Sequence, residues 1–176
     1  MNIRKLELKD APLMLEWMHD DSVIRDLRTN FMTKTIDDCI GFINAAQDES
    51  ESLHLAIVDD NDKYMGTVSL KHINNGTAEF GITVRKCAMG KGFSHYGMVE
   101  ILKIGFENRK VDMIYWCVDP VNHRAVRFYD KNGYKRCDAP KQASHYTKDE
   151  KEKFMWYCII NKKTPTSQIS SLILPT

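Results

Sequence analysis

The sequence predicts an α+β fold, on three observations. Residues 53–85 read as a three-strand meander whose turns, Asp59-Asp60-Asn61-Asp62 and Asn74-Asn75-Gly76, are built from residues that favour tight turns. From Phe93 to Phe106, apolar residues recur at helical spacing directly after a glycine-bearing loop. Val111 to Val118 is apolar on both faces, the pattern of a strand buried within a sheet, and a second helical stretch, Val121 to Asn132, follows it.

Asn2 to Leu8 alternates imperfectly, as an edge strand does. Asp10 is placed to cap a helix at Ala11, with Pro12 tolerated in its first turn and Leu13, Met14, Trp17 and Met18 forming the apolar stripe. His19-Asp20-Asp21-Ser22 breaks that helix, and Val23 to Leu27 supplies another turn or two. Thr35, with Asp38 three residues on, is a capping box for a helix carrying Ile36, Ile40, Phe42, Ile43 and Ala46. Gln47 to Ser52 is a polar loop, after which strands are expected at 53–58, 65–73 and 77–85. On the last of these, Ala78, Phe80, Ile82 and Val84 share the apolar face. The following helix covers about 91–108. Asp119-Pro120 stops the buried strand, and Gly133 suits a left-handed cap after the second helix. Tyr134 to Cys137 and Phe154 to Ile160 read as two final strands around a polar loop, 138–153. Residues 1–161 thus form one domain, and the Ser/Thr/Pro-rich residues 162–176 form a tail, disordered or docked on a partner.

Composition narrows the function classes. A chain of 176 residues suits one sizeable core, and a net charge of +1 gives no support to a nucleic-acid partner. No apolar run approaches the ~20 residues of a membrane span, and the first ten residues contain no apolar signal core. Cys39, Cys87, Cys117, Cys137 and Cys158 are scattered without a Cys-x-x-Cys pair, so five reduced thiols in a cytoplasmic protein are expected. No cysteine–histidine cluster has metal spacing, and the acidic turn at 59–62 lacks a calcium loop's ligand series, so no metal is expected.

The strand ending at Val84, the glycines Gly90 and Gly92, and the helix start at Phe93 form a recipe for holding phosphate. The first N–H groups of a helix lack internal partners, its dipole favours negative charge there, and glycine lets the backbone approach closely. Gly92 follows Lys91 where a Walker loop needs Ser or Thr, and His95 stands where a dinucleotide fingerprint needs glycine, so both motifs are disfavoured while a nucleotide site on Gly90 and Gly92 stays open. The spacing of Val84, Gly90 and Gly92 resembles instead the acetyl-CoA loop of the GNAT acetyltransferases, although Met89 and Ser94 depart from that family's usual residues. A second segment, Asp119 to Tyr134, resembles the same family through Asn122, Ala125, Tyr129, Gly133 and Tyr134, and its Asn122 lies 30 residues after Gly92. The element order over 1–161 is similar to that of the family. Ala78-Glu79-Phe80-Gly81 and the Asp-Pro-x-Asn turn look most like the branch of ribosomal-protein, polyamine and amino-sugar acetyltransferases.

The resemblance implies a mixed sheet, flanked by helices, in which strands 77–85 and 111–118 splay apart around the coenzyme. It implies acetyl-CoA as co-substrate and a primary amine as acceptor: a small amine, an amino sugar or a protein N-terminus. Backbone groups from Ile82 to Val84 would pair with the pantetheine arm, and Met89, Gly90, Lys91, Gly92, Phe93 and Ser94 would supply the pyrophosphate loop. Asn122 would bond the coenzyme or cap its helix. Arg124, Arg127 and Lys131, on one helical face, would meet a ribose phosphate. Tyr129 would donate a proton to the leaving thiolate, and Glu79 would accept the amine's proton, with His145 a weaker candidate. A monomer or homodimer is expected. The alternative is a non-catalytic acyl-CoA-binding regulatory module on the same fold.

Overall fold

Turn chemistry and alternation place three strands side by side at the start of the sheet's central run. These are β2 (Leu53–Val58), β3 (Tyr64–Asn74) and β4 (Thr77–Val84), antiparallel throughout, with Leu55 across from Val68 and Val68 across from Ile82. In this computed structural model, which describes residues 1–161, β1 (Asn2–Lys5) joins the outer edge of β2. The tail expected from 162 lies outside the described residues. Beyond β4 come β5 (Met113–Val118), β7 (Met155–Ile160) and the two-residue β6 (Arg136–Cys137), giving the order β1-β2-β3-β4-β5-β7-β6.

The joint between β4 and β5 differs from the others. It is parallel, as a crossover helix requires, and holds only Thr77–Met113, Ala78–Ile114 and Glu79–Tyr115. From Phe80 onward the edge of β4 facing β5 pairs with no described strand. β5 meanwhile stays paired to β7 along its whole length, from Met113–Ile160 to Val118–Met155. The sheet is therefore mixed and opens into a wedge at its centre, the architecture expected from the resemblance.

Helices cover both faces. The crossover helix α4 (Phe93–Lys103) continues as a π-helical turn over Ile104–Asn108, and Met98, Ile101, Leu102 and Phe106 pack on Val68, Leu70, Phe80 and Ile114. α5 (His123–Lys131) lies on the same core through Tyr129. On the other face, α1 (Ala11–Met18), α2 (Asp21–Ile24) and α3 (Ile36–Ala45) bury Met14, Trp17, Val23 and Ile43 against Ala56, Val58 and Tyr64. A third cluster, Tyr115, Ala143, Tyr146, Phe154 and Trp156, anchors the segment after β6.

Four local expectations are corrected. Asp10 does not cap α1: it is buried, holds Arg4 through two contacts of 2.8 Å and accepts the Glu7 N–H. The 138–153 loop contains α6 (Lys148–Lys153), capped by Thr147 and Glu150; its Lys-Asp-Glu-Lys-Glu-Lys sequence has no apolar period to reveal it. α4 begins at Phe93 rather than 91, because Gly92 has a φ of +86°. Finally, Cys137 and Cys158 form a disulfide, so the expectation of five free thiols fails; β6 and β7 bring the two together from 21 residues apart. Among the described residues, no helix is long and apolar enough to cross a membrane.

Candidate active site

The wedge between β4 and β5 is lined from three directions. From β4 come Ile82, Thr83 and Val84; from the loop and α4 come Met89, Gly90 and Ser94; from α5 come Asn122, Arg124, Ala125, Phe128 and Tyr129. Together with Val23 and Leu27 they border a chamber of about 190 Å³. Gly90 and Gly92 have φ of +72° and +86°, values that favour glycine. They turn the chain so that α4 starts against the chamber, and no side chain caps that start. α3 and α5, by contrast, are capped by Thr35 and Asn122. The leading amides of α4 are therefore left for an anion.

Most of the expected coenzyme residues meet here. Ile82, Val84, Met89, Gly90, Ser94 and Asn122 all line the chamber. Lys91 and Gly92 are exposed in the adjoining loop, the Phe93 side chain is buried in the core, and none of the three lines the chamber. Asn122 is itself buried, and its Oδ1 accepts the Ala125 N–H at 3.0 Å, so the capping role is fulfilled and the side-chain amide NH2 is what remains for a ligand. Arg127 is exposed and lies outside the lining. Arg124, one turn earlier, takes that place, donating to the carbonyls of Ser22 and Val23 across the chamber.

A second chamber, about 280 Å³, shares Ile82, Thr83, Asn122, Ala125 and Tyr129 with the first and is also bordered by Glu79, Trp116, Cys117, Asp119 and Tyr146. Tyr129 lines both chambers and is only 6% exposed, its ring held by Trp116 at 5.3 Å and Tyr157 at 5.2 Å. Burial pushes the Tyr129 phenol above its ordinary pKa. Burial likewise pushes the Cys117 thiol up, so it stays protonated. A third cavity, about 330 Å³, lies under α1 and α3 between Trp17, Phe31, Phe42 and His54, and shares Phe31, Lys71 and Gly81 to Thr83 with the second.

Glu79 is 4% exposed, not a surface carboxylate. Its Oε1 accepts from Lys71 at 2.8 Å and from the Tyr146 hydroxyl at 3.0 Å, and its Oε2 lies 2.7 Å from His145 Nε2. Burial alone would raise its pKa, but the charge and hydrogen bond of Lys71, with the Tyr146 bond, hold it below the usual carboxylate value. Sequence reasoning missed Lys71, His72 and Tyr146. Lys71 was out of its reach, since a regular ladder counted back from the Asn74–Thr77 pair puts His72 opposite Glu79, and the irregularity between Lys71 and Asn74 puts Lys71 there instead. Tyr146 was out of reach as well, because its segment has no period to orient it.

A family model described as the acetyltransferase (GNAT) domain matches residues 1–135. An uncharacterized N-acetyltransferase, p20, of Bacillus licheniformis is 25% identical over 77% of this chain and 79% of its own length. Acetyltransferase PseH of Campylobacter jejuni is 22% identical over 82% and 88%. Among solved structures, spermidine N-acetyltransferase from Vibrio cholerae in complex with CoA and spermine superposes with a TM-score of 0.73 at 19% identity, covering 92% of this chain and 96% of that one.

Proposed function

The chain belongs to the GNAT acetyltransferase family, and from that premise we propose that it moves the acetyl group of acetyl-CoA to a primary amine by direct attack. The observation that carries this reading is the place of Tyr129, a buried phenol that lines both chambers of the opened sheet. In this reading the coenzyme fills the first chamber. Its pyrophosphate meets the N–H groups of Gly90 and of Gly92 to Ser94, with the Lys91 charge beside them and the Lys91 N–H turned to the Ala88 carbonyl. The pantetheine arm runs along the open edge of β4 from Ile82 to Val84, with the Asn122 amide and Arg124 on the opposite wall. A backbone N–H on that edge polarises the thioester carbonyl as charge develops on its oxygen.

The acceptor enters from the second chamber. Holding it beside the thioester removes the entropy cost of encounter. A neutral amine attacks, the tetrahedral intermediate collapses, and the departing thiolate takes the Tyr129 proton; a phenol raised by burial remains protonated to deliver it. The amine's proton passes to Glu79, and His145 stands next in line toward solvent.

The charge pattern also supports a class of acceptor. Each carboxylate bordering the second chamber already faces a cation of this chain: Asp26 has Arg25 at 3.8 Å, Glu79 has Lys71 at 2.8 Å and Asp119 has Lys153 at 2.6 Å. That arrangement favours an amine with one cationic centre over a polycation, although a structural neighbour is a spermidine acetyltransferase. The test is release of the CoA thiol from acetyl-CoA against single amines, amino sugars, peptide N-termini and spermidine. Turnover on a monoamine exceeding that on spermidine is expected. Tight acetyl-CoA binding with no thiol release on any amine would sink the catalytic reading and leave a coenzyme-binding module.

A further inference from the structure

Successive residues of a regular strand point to opposite faces of the sheet, yet Lys71 and His72 of β3 both reach Glu79 on β4. Lys71 stands directly across from Glu79, and its Nζ donates to Oε1 at 2.8 Å. The pairing is then irregular between Lys71 and Asn74, and His72 adopts a φ of +52°. Irregularities of this kind re-aim a side chain. Here one brings His72 Nε2 to 3.9 Å from Glu79 Oε2. From the other side, the loop before α6 places His145 Nε2 at 2.7 Å from the same oxygen. The two imidazole rings face each other with centres 4.2 Å apart.

We propose that His72, Glu79 and His145 bind a divalent transition ion of the zinc class. One nitrogen from each histidine and one carboxylate oxygen lie within 4.8 Å of one another. Two imidazoles and a carboxylate are the donor set of three-ligand zinc centres, which leave their remaining positions to water. Calcium and magnesium prefer all-oxygen sites, so the nitrogen donors select against them. The Glu79 oxygens divide accordingly: Lys71 and Tyr146 fix Oε1, leaving Oε2 to the imidazoles. Outer partners of that sort orient a ligating carboxylate. The side chains of His72 and His145 are 55% and 35% exposed, so an ion can arrive from solvent without entering either chamber. The ion is not part of acetyl transfer. It shares Glu79 and His145 with the proton path proposed above, so its arrival inhibits turnover.

Cobalt(II) is the probe, titrated into full-length protein carrying Cys87→Ser, which removes the exposed free thiol. One equivalent should bind with a visible absorption band and be displaced by Zn²⁺. His72→Asn deletes the imidazole while keeping a residue type that tolerates positive φ. It should weaken Co²⁺ binding at least tenfold, and His145→Gln should do the same. Folding of each variant is checked by its thermal melt, and the second serves if the first does not fold. Failure of the Cys87→Ser protein to bind one equivalent, or equal affinity in all three proteins, would overturn the site. This binding arm needs no acceptor and so stands apart from the proposed activity. In the activity arm, Zn²⁺ should slow thiol release by the Cys87→Ser protein, and EDTA should restore it. The same Zn²⁺ slowing release equally when His72→Asn is added would overturn the inhibitory role.

Discussion

Tyr129 is the residue on which the proposed chemistry turns, and its surroundings define a clean substitution. Phe80, Trp116 and Tyr157 pack around the ring, so Tyr129→Phe preserves those contacts and deletes only the proton donor. kcat should fall about 10²-fold or more, the scale of general acid catalysis, with little change in coenzyme affinity. Wild-type kcat in the folded variant, measured where chemistry limits turnover, would remove Tyr129 from the mechanism. His54 gives a second residue-scale expectation, this time about stability. It sits beneath Phe42 and pairs with the Ser69 hydroxyl at 2.7 Å, and burial, with a smaller effect from Lys71, lowers its pKa from 6.5 to about 4. Above pH 6.5 both folded and unfolded states hold the ring neutral. Between pH 6.5 and 4 the unfolded chain takes up a proton that the folded protein refuses, so stability is lost as pH falls through that window, by up to about 3 kcal/mol. His54→Gln should flatten this part of the stability profile. An identical slope in urea melts of both proteins would show that another group is responsible.

At the scale of elements, the glycine-bearing turn between β4 and α4 was legible in the sequence because glycine, strand end and helix start are local signals. The same holds for the meander, for the Thr35–Asp38 capping box and for Gly133, whose φ is +75°. What stayed hidden is the geometry that joins distant segments. Glu79, His72 and His145 meet through a strand irregularity and a loop, Arg124 rather than Arg127 crosses the chamber, and Cys137 finds Cys158 through the β6–β7 pairing. None of these depends on a periodicity. The loop itself gives an element-scale prediction. A Cβ on Gly92 would meet only the Met1 side-chain end at 3.7 Å, so crowding is not the obstacle; the φ of +86° is. Gly92→Val should cost about 1–2 kcal/mol of stability and raise the KM for acetyl-CoA on the order of tenfold, as the loop relaxes and its amides turn from the phosphates. Gly92→Asn, which tolerates positive φ better, should lose less of both. Unchanged coenzyme affinity in a folded Gly92→Val protein would sink the assignment of this loop.

At the scale of the whole molecule, the sheet is two strand groups joined by three parallel pairs and the crossover through α4. Beyond Glu79 and Tyr115 the groups separate, and the wedge is bordered by β4 and α4 on one side and α5 on the other. A ligand long enough to contact both walls restores contacts that the divided sheet lacks, so binding should stabilise the fold as a unit. Acetyl-CoA at about 100 times its dissociation constant should add roughly 2.7 kcal/mol, which for a domain of this size raises Tm by roughly 5–10 °C. ATP and NAD carry a pyrophosphate for the α4 amides but lack a pantetheine arm to lie along Ile82 to Val84. They should therefore give a much smaller shift at equal concentration. Coenzyme A without the acetyl group should retain most of the shift, because the arm and the phosphates provide the contacts. A melt in which ATP or NAD stabilises the protein as much as acetyl-CoA would mean that the opening between β4 and β5 binds no pantetheine and that the chamber serves a nucleotide instead.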